Sequence, residues 1–186
     1  MSYIAKKYIK NISFTVISLV FISCSSLSSD SIVERAEKSF KELIRRDSKE
    51  DNEEIEHYIS NEGKFILLSR KKLFNNIQIE KIKRFYLIEI FNSGSQNSYS
   101  AALKDGDDVH YLENSVRNES SYSQISFSEF KKEYGTDACL LINAEEDIEK
   151  LVGDKDDSIF HFSVFITIVD NGNIQSYRAK NICSLN

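Results

Sequence analysis

The pattern of hydrophobic and polar positions first predicts a helix over residues 32–46. Apolar residues recur there at spacings of three and four, which place them on one side of a helix: Val33, Ala36, Phe40, Leu43 and Ile44. Ser31 and Glu34 have the spacing of a capping box at the start of this helix. A second, shorter helix is predicted over residues 52–60, with Gly63 beyond its end.

From residue 64 onward the pattern changes to short apolar runs and to apolar–polar alternation, which are typical of strands. The strands predicted in this part of the chain are separated by turn sequences and cover residues 64–70, 81–92, 98–104 and 109–114. Residues 114–125 are polar and predict a loop.

The next part of the chain alternates short helices with a strand. Ser126 and Glu129 have capping-box spacing and predict a short helix that follows them. Residues 138–143 form an apolar run that predicts a strand. Residues 144–152 predict a further short helix, with Asn143 as its N-cap.

The clearest hairpin signal is Asn171-Gly172, which separates two extended runs. Asn-Gly favours a two-residue hairpin because both turn residues need a positive φ. The run before it, residues 159–169, is apolar on both faces, which indicates a central strand. Together the elements predict an α+β fold: an antiparallel sheet of about five or six strands, with an N-terminal amphipathic helix and short helices on one face.

The N-terminal residues have the three-part order of a secretory signal. Lys6, Lys7 and Lys10 come first, residues 12–22 are uncharged and mostly apolar, and the small Ser23 follows. As a helix, the apolar run would rise only about 16 Å, roughly half the thickness of a bilayer's hydrocarbon core. This length favours an export signal over a permanent transmembrane helix.

The sequence Phe21-Ile22-Ser23-Cys24 resembles the lipobox of bacterial lipoproteins, although that family most often has Leu where this chain has Phe21. The resemblance implies cleavage just before Cys24, whose sulfur would first be joined to a diacylglycerol. Two or three acyl chains on Cys24 would give stable membrane anchoring. The alternatives are ordinary signal cleavage after Ser25 and an uncleaved apolar anchor.

These observations predict three regions: a lipoprotein signal peptide at 1–23, a flexible tether at 24–31 and a single α+β domain at 32–186. The resemblance implies a lipid anchor in a bacterial cell membrane. Ser25 is not the Asp that retains some lipoproteins in an inner membrane, which favours the outer membrane, facing the periplasm.

The charge of the chain argues for solubility and against a nucleic-acid partner. The formal net charge is −5, and loss of the three signal-peptide lysines would take it to about −8. Basic residues concentrate only at Arg70–Lys72 and Lys81–Arg84. This group predicts either contact with anionic lipid or an acidic partner, or else a solvated face.

The two remaining cysteines, Cys139 and Cys183, predict a disulfide in the exported compartment. Each lies in a short apolar run that predicts a strand, and adjacent strands would bring the two within bridging distance. The alternative is two buried free thiols. Catalysis by either thiol is not expected, because the chain has no CxxC motif and no base near either cysteine in sequence.

No motif for catalysis, for a cofactor or for a metal is present in the sequence. His57, His110 and His161 lack the paired spacing of zinc ligands. The acidic turns at 105–108 and 154–157 do not match a calcium-binding loop. We therefore predict no cofactor, no metal and no catalytic residue from the sequence.

The tyrosines are the most suggestive binding residues. Tyr99, Tyr111 and Tyr122 lie in or beside the predicted hairpin and polar loop, and they predict a binding surface. The alternative is that they fill half-exposed strand positions. The predicted function is a lipid-anchored envelope lipoprotein of unknown activity that acts as a protein-binding module. Alternatives are an immunity-type periplasmic inhibitor of a toxin, a small envelope hydrolase and a small-ligand carrier.

Overall fold

The computed structural model describes residues 31–47, 51–93, 97–152 and 162–179. The described residues belong to one compact unit that starts at Ser31. The predictions for the signal peptide, for Cys24, for His161 and for Cys183 lie outside the described residues, as does the predicted tether apart from Ser31. Among the described residues, no helix has both the length and the apolar character needed to span a membrane.

The α-helices of the described residues are α1 (Ile32–Asp47), α2 (Asn52–Tyr58), α3 (Lys64–Asn75), α4 (Phe127–Glu133) and α5 (Gly135–Glu146). A π-helical segment, Ile59–Gly63, joins α2 to α3, and 3₁₀ turns occupy Ile79–Lys81 and Ile148–Lys150. The strands are β1 (Arg84–Asn92), β2 (Ser98–Asp105), β3 (Asp108–Ser115), β4 (Ser121–Ser126), β5 (Phe162–Asp170) and β6 (Asn173–Ala179).

The strands form one six-stranded sheet in the order β4-β3-β2-β1-β5-β6. Every neighbouring pair is antiparallel. The predicted α+β class and the predicted number of strands are confirmed. Strand β5 is internal, as expected from its two apolar faces, and β4 and β6 are the edges of the sheet among the described residues.

The helices cover both faces of the sheet. The prediction of helices on one face only is therefore wrong. Alternation along β1 explains the second layer, because Phe85 and Leu87 pack in one apolar cluster and Tyr86 and Ile88 in another. The first cluster includes residues of α1, α2 and α3, and the second includes residues of α4 and α5. A central strand that is apolar on both sides needs cover on both.

Two of the predicted strands are wrong. Residues 64–70 and 138–143 were predicted as strands but lie in helices α3 and α5. In α3 the buried residues Ile66, Arg70 and Leu73 recur at helical spacing, with one charged position among the apolar ones. A short apolar run does not separate a strand from a buried helix.

The other corrections concern boundaries between elements. Gly63 does not end a helix, because the π-helical segment carries the chain directly into α3. The predicted helix at 144–152 does not form as a separate element: residues 144–146 are the end of α5, a 3₁₀ turn follows at Ile148–Lys150, and Asn143 lies inside α5. The predicted loop at 114–125 contains most of strand β4, which is polar because it lies at an edge of the sheet.

The signals that depend on near neighbours are confirmed. At the start of α1, the Glu34 backbone N–H donates to Ser31 Oγ at 3.2 Å, and the Ser31 N–H donates to the Glu34 carboxylate at 2.9 Å. The second capping box, between Ser126 and Glu129, is also formed. Asn171 and Gly172 have φ values of 48° and 83°, as the predicted hairpin requires.

Candidate binding groove

An open groove of about 390 Å³ lies on the sheet between β1 and β4. We call it the Glu113 groove and define it by the lining residues that carry the argument: Ile90, Ser100, Tyr111, Glu113, Glu119 and Ser121. Most of its walls come from strands, and the β3–β4 loop supplies Glu119. Hydroxyl and carboxylate side chains supply hydrogen-bond acceptors along it, so it is suited to polar and cationic groups.

Strand register places these side chains in a row. Ile90 pairs with Ser100, Ser100 with Glu113, and Glu113 with Ser121. Residues directly opposite one another in paired strands share a face of the sheet. The row therefore crosses four adjacent strands on the face that α4 and α5 partly cover, and it ends at the edge strand β4.

Tyr111 fixes the position of the Glu113 carboxylate. Its hydroxyl donates to Glu113 Oε1 at 3.0 Å. The Tyr111 ring is packed against Tyr134, with centroids 4.3 Å apart, and against Phe130, with centroids 5.5 Å apart. Burial raises the pKa of the Tyr111 hydroxyl well above its ordinary value, and the charges of Asp137 and Glu113 raise it further. The hydroxyl therefore stays protonated and remains a donor.

Asp137, in the first turn of α5, brings a second carboxyl group close to Glu113. Burial raises the pKa of Asp137 to about 6, and the nearby Glu113 charge contributes to that rise. A cation placed beside Asp137 and Glu113 would stabilise the ionised form of Asp137. A lysine or arginine side chain of a partner meets that requirement.

The structure does not bring the three tyrosines of the predicted binding surface onto one face of the sheet. Tyr99 is only 2 % exposed, and its hydroxyl donates to Glu89 Oε1 at 2.7 Å on the α1–α3 side of the sheet. Tyr122 packs against the same side, and its hydroxyl lies 2.8 Å from His110 Nδ1. Of the three, only Tyr111 presents its side chain to the α4–α5 face, and it is 5 % exposed. Tyr99 also borders the groove, but its side chain belongs to the core.

The two histidines that the structure describes lie on different elements, His57 on α2 and His110 on β3. His57 is exposed on α2 beside Asn61. His110 is on β3, where burial lowers its pKa in spite of Asp108 and Asp105, so the ring is neutral near pH 7. Within the described ranges, no group of three or more His, Cys, Asp or Glu residues is arranged to hold a metal ion.

Cys139 lies in α5 rather than in a strand, which corrects the predicted setting of that cysteine. Its Sγ is 3.5 Å from Asn143 Nδ2, one helical turn later. Cys183 is outside the described residues, so the disulfide between the two stays a prediction.

Glu113 and Asp137 were not singled out from the sequence. Alternation on the correctly predicted strand at 109–114 was enough to place Tyr111 and Glu113 on one face. The position of Asp137 next to Glu113 could not be predicted, because the apolar run that follows Asp137 predicts a strand and not the helix that is present. Comparisons of the chain with protein-family models, with curated proteins and with solved structures found no match.

Proposed function

We propose that this chain is a lipid-anchored lipoprotein of the bacterial cell envelope whose folded domain binds another protein. The anchor is Cys24, and its support is the order of basic, apolar and small residues that ends there. The proposed location is the outer membrane, facing the periplasm.

Intact mass spectrometry of membrane-extracted protein tests the anchor. A chain that begins at Cys24 and carries the added mass of a diacylglycerol and further acyl groups is expected. An unmodified chain that begins at Met1 or at Ser26 would contradict the proposal. Cys24→Ser is the control variant, and it should lose the added mass and accumulate as the uncleaved form.

The observation that carries the binding proposal is the Glu113 groove. It is open along the sheet, it holds a carboxylate positioned by Tyr111, and it reaches the edge strand β4. A partner's basic side chain would fill the groove, while backbone groups of β4, an edge strand among the described residues, would add main-chain hydrogen bonds. Complementary charge would also speed the encounter with a basic partner.

Site-specific photo-crosslinking in whole cells tests the binding proposal. A photoreactive residue at Glu119, in the groove wall, should capture one protein in stoichiometric amounts. The same residue at Glu54, on exposed helix α2 of the opposite layer, is the matched control and should not capture it. Glu113→Gln should reduce capture from position 119. Equal capture from both positions, or none from 119, would overturn the proposal.

The acidic groove favours one specific binding function, which is inhibition of a basic toxin. The crosslinked partner decides this directly, because a secreted enzyme of basic charge would be expected. Its activity should fall when the purified lipoprotein is added, and Glu113→Lys should abolish that inhibition.

A small hydrolase is the second candidate, and the Glu113–Asp137 pair is the observation that favours it. A carboxyl group with a pKa near 6 beside a second carboxyl group has the properties of a general acid and its partner. Hydrolysis of envelope polymers by the purified protein, lost in both Glu113→Gln and Asp137→Asn, would establish this function in place of the first.

A further inference from the structure

Helix α3 has a basic outer face. The side chains on that face are exposed and recur at helical spacing: Lys64, Leu68, Lys71 and Lys72. No acidic residue occurs anywhere in α3. Leu68, in the middle of the face, is 54 % exposed. A row of lysines around an exposed leucine is the composition of a surface that contacts a membrane interface.

The chain enters the domain next to this face. The Ile32 backbone N–H, at the start of α1, donates to both carboxylate oxygens of Glu80, at 3.1 and 3.3 Å. Val33, Lys71 and Lys81 line one shared depression, so the start of α1 and the second half of α3 adjoin. Glu80 also lines that depression, and its carboxylate accepts the hydrogen bond from the backbone at the start of α1.

The distance to the proposed anchor is short. Ser31 lies seven positions after Cys24, and a fully extended chain over seven residue steps spans at most about 25 Å. Whatever conformation these residues adopt, the start of α1 is held within that distance of the acylated cysteine. The face of the domain beside the start of α1 is therefore within reach of the lipid headgroups.

We infer that the outer face of α3 is the surface that this domain turns toward the membrane, where Lys64, Lys71 and Lys72 bind anionic lipid headgroups. The inference rests on the lipid anchor proposed above. Charge supports the choice of lipid, because the mature chain is acidic as a whole, at about −8, and an anionic membrane repels its other surfaces. Each lysine near an anionic surface strengthens binding about fivefold.

Lysine acetylation footprinting tests this with the protein purified from membranes. The protein is mixed with vesicles of pure phosphatidylcholine or with vesicles that contain phosphatidylglycerol. Acetylation of Lys64 and Lys71 is expected to be about fivefold slower on the anionic vesicles, and salt should remove the difference. Lys131 and Lys132, exposed on α4 across the sheet, are internal controls and should react equally on both.

Charge reversal supplies the matched variants. Lys64→Glu with Lys71→Glu should abolish the protection of Lys72, whereas Lys131→Glu with Lys132→Glu should preserve it. Equal acetylation of α3 on both kinds of vesicle would overturn the inference. Protection in native membranes but not on anionic vesicles would also overturn it, and would indicate an acidic protein on this face instead.

The intact mass of the same sample reports the anchor separately. A chain without acyl groups refutes the lipoprotein proposal, while the footprint on anionic vesicles still decides whether α3 binds lipid.

Discussion

Arg70 and Glu89 form a buried ion pair that joins helix α3 to the central strand β1. Arg70 Nε donates to Glu89 Oε1 at 2.8 Å, and Nη2 donates to Oε2, so the pair is bidentate. The two side chains are 3 % and 0 % exposed. Arg70 Nη1 also donates to the Ala36 carbonyl at 3.0 Å, and the guanidinium lies over the Phe40 ring. One basic residue of the predicted lipid-contact group is therefore a core residue that ties α1, α3 and β1 together.

Breaking this pair should destabilise the domain strongly. Arg70→Ala or Glu89→Ala leaves one charge buried without its partner, and each should lower the free energy of unfolding by about 3–5 kcal/mol. The double variant Arg70→Met/Glu89→Leu removes both charges and should cost less than either single change. Urea unfolding followed by circular dichroism measures all three.

The exposed pair Arg45–Glu56 is the matched control for that series. Its Nη2–Oε1 distance is 2.9 Å, but both side chains are about half exposed. Arg45→Ala should therefore cost less than about 1 kcal/mol. If the double variant at Arg70 and Glu89 lost as much free energy of unfolding as the two single variants added together, the two side chains would not be energetically coupled, and the prediction would be wrong.

Asp137 should make the stability of the domain fall as the pH rises. Its folded pKa is raised from 3.8 to about 6, so the folded state holds a proton that the unfolded state has released. This contribution to stability is complete below about pH 4 and is lost as the pH rises through about 6. Asp137→Asn should match the wild type near pH 3.5 and exceed it by about 1–2 kcal/mol at pH 7, allowing for partial exposure of the carboxyl group.

Thermal unfolding between pH 3.5 and 8 measures the effect. Glu113→Gln is the control, because loss of the neighbouring charge should lower the Asp137 pKa and reduce the pH dependence. An Asp137→Asn variant that is less stable than the wild type at pH 7 would refute the assignment.

Gly172→Ala should destabilise the β5–β6 hairpin through the backbone alone. Gly172 has a φ of +83°, and an added Cβ would meet the Arg35 guanidinium only at an ordinary contact distance of 3.8 Å. The expected loss is about 1 kcal/mol, from the left-handed conformation that alanine disfavours. Urea unfolding checks this.

Gly106→Ala is the matched control for the hairpin variant. Its φ is +59°, and no atom lies within 4 Å of an added Cβ. If the positive φ alone is responsible, the two variants should lower the free energy of unfolding by similar amounts. A large loss at Gly172 with none at Gly106 would instead point to the hydrogen bond that Arg35 Nη1 donates to the Gly172 carbonyl.

The predicted disulfide between Cys139 and Cys183 can be tested by peptide mapping without reduction. Closing a loop of about 44 residues should stabilise the fold by about 4 kcal/mol in the chain-entropy model. Cys183→Ser should lower the midpoint of urea unfolding accordingly, and reductant should then have no further effect on that variant. Two alkylated thiols in the unreduced native protein would refute the bridge.

The sequence by itself determined the features that depend on residues close together in the chain. The capping boxes at Ser31–Glu34 and Ser126–Glu129, and the Asn171-Gly172 hairpin, each involve contacts within four residues. Their geometry follows from local hydrogen bonding and allowed φ values, whatever packs around them. The α+β class followed from the same kind of local pattern, repeated along the strands.

Only the tertiary structure decided which apolar runs became helices and which side chains met. The run at 64–70 satisfies a strand pattern as well as a helical one, and it became α3 because Ile66 and Arg70 are buried together one helical turn apart. Asp137 came next to Glu113 because α5 packs on the sheet across more than twenty residues of chain. Such contacts depend on the whole core, so no local pattern encodes them.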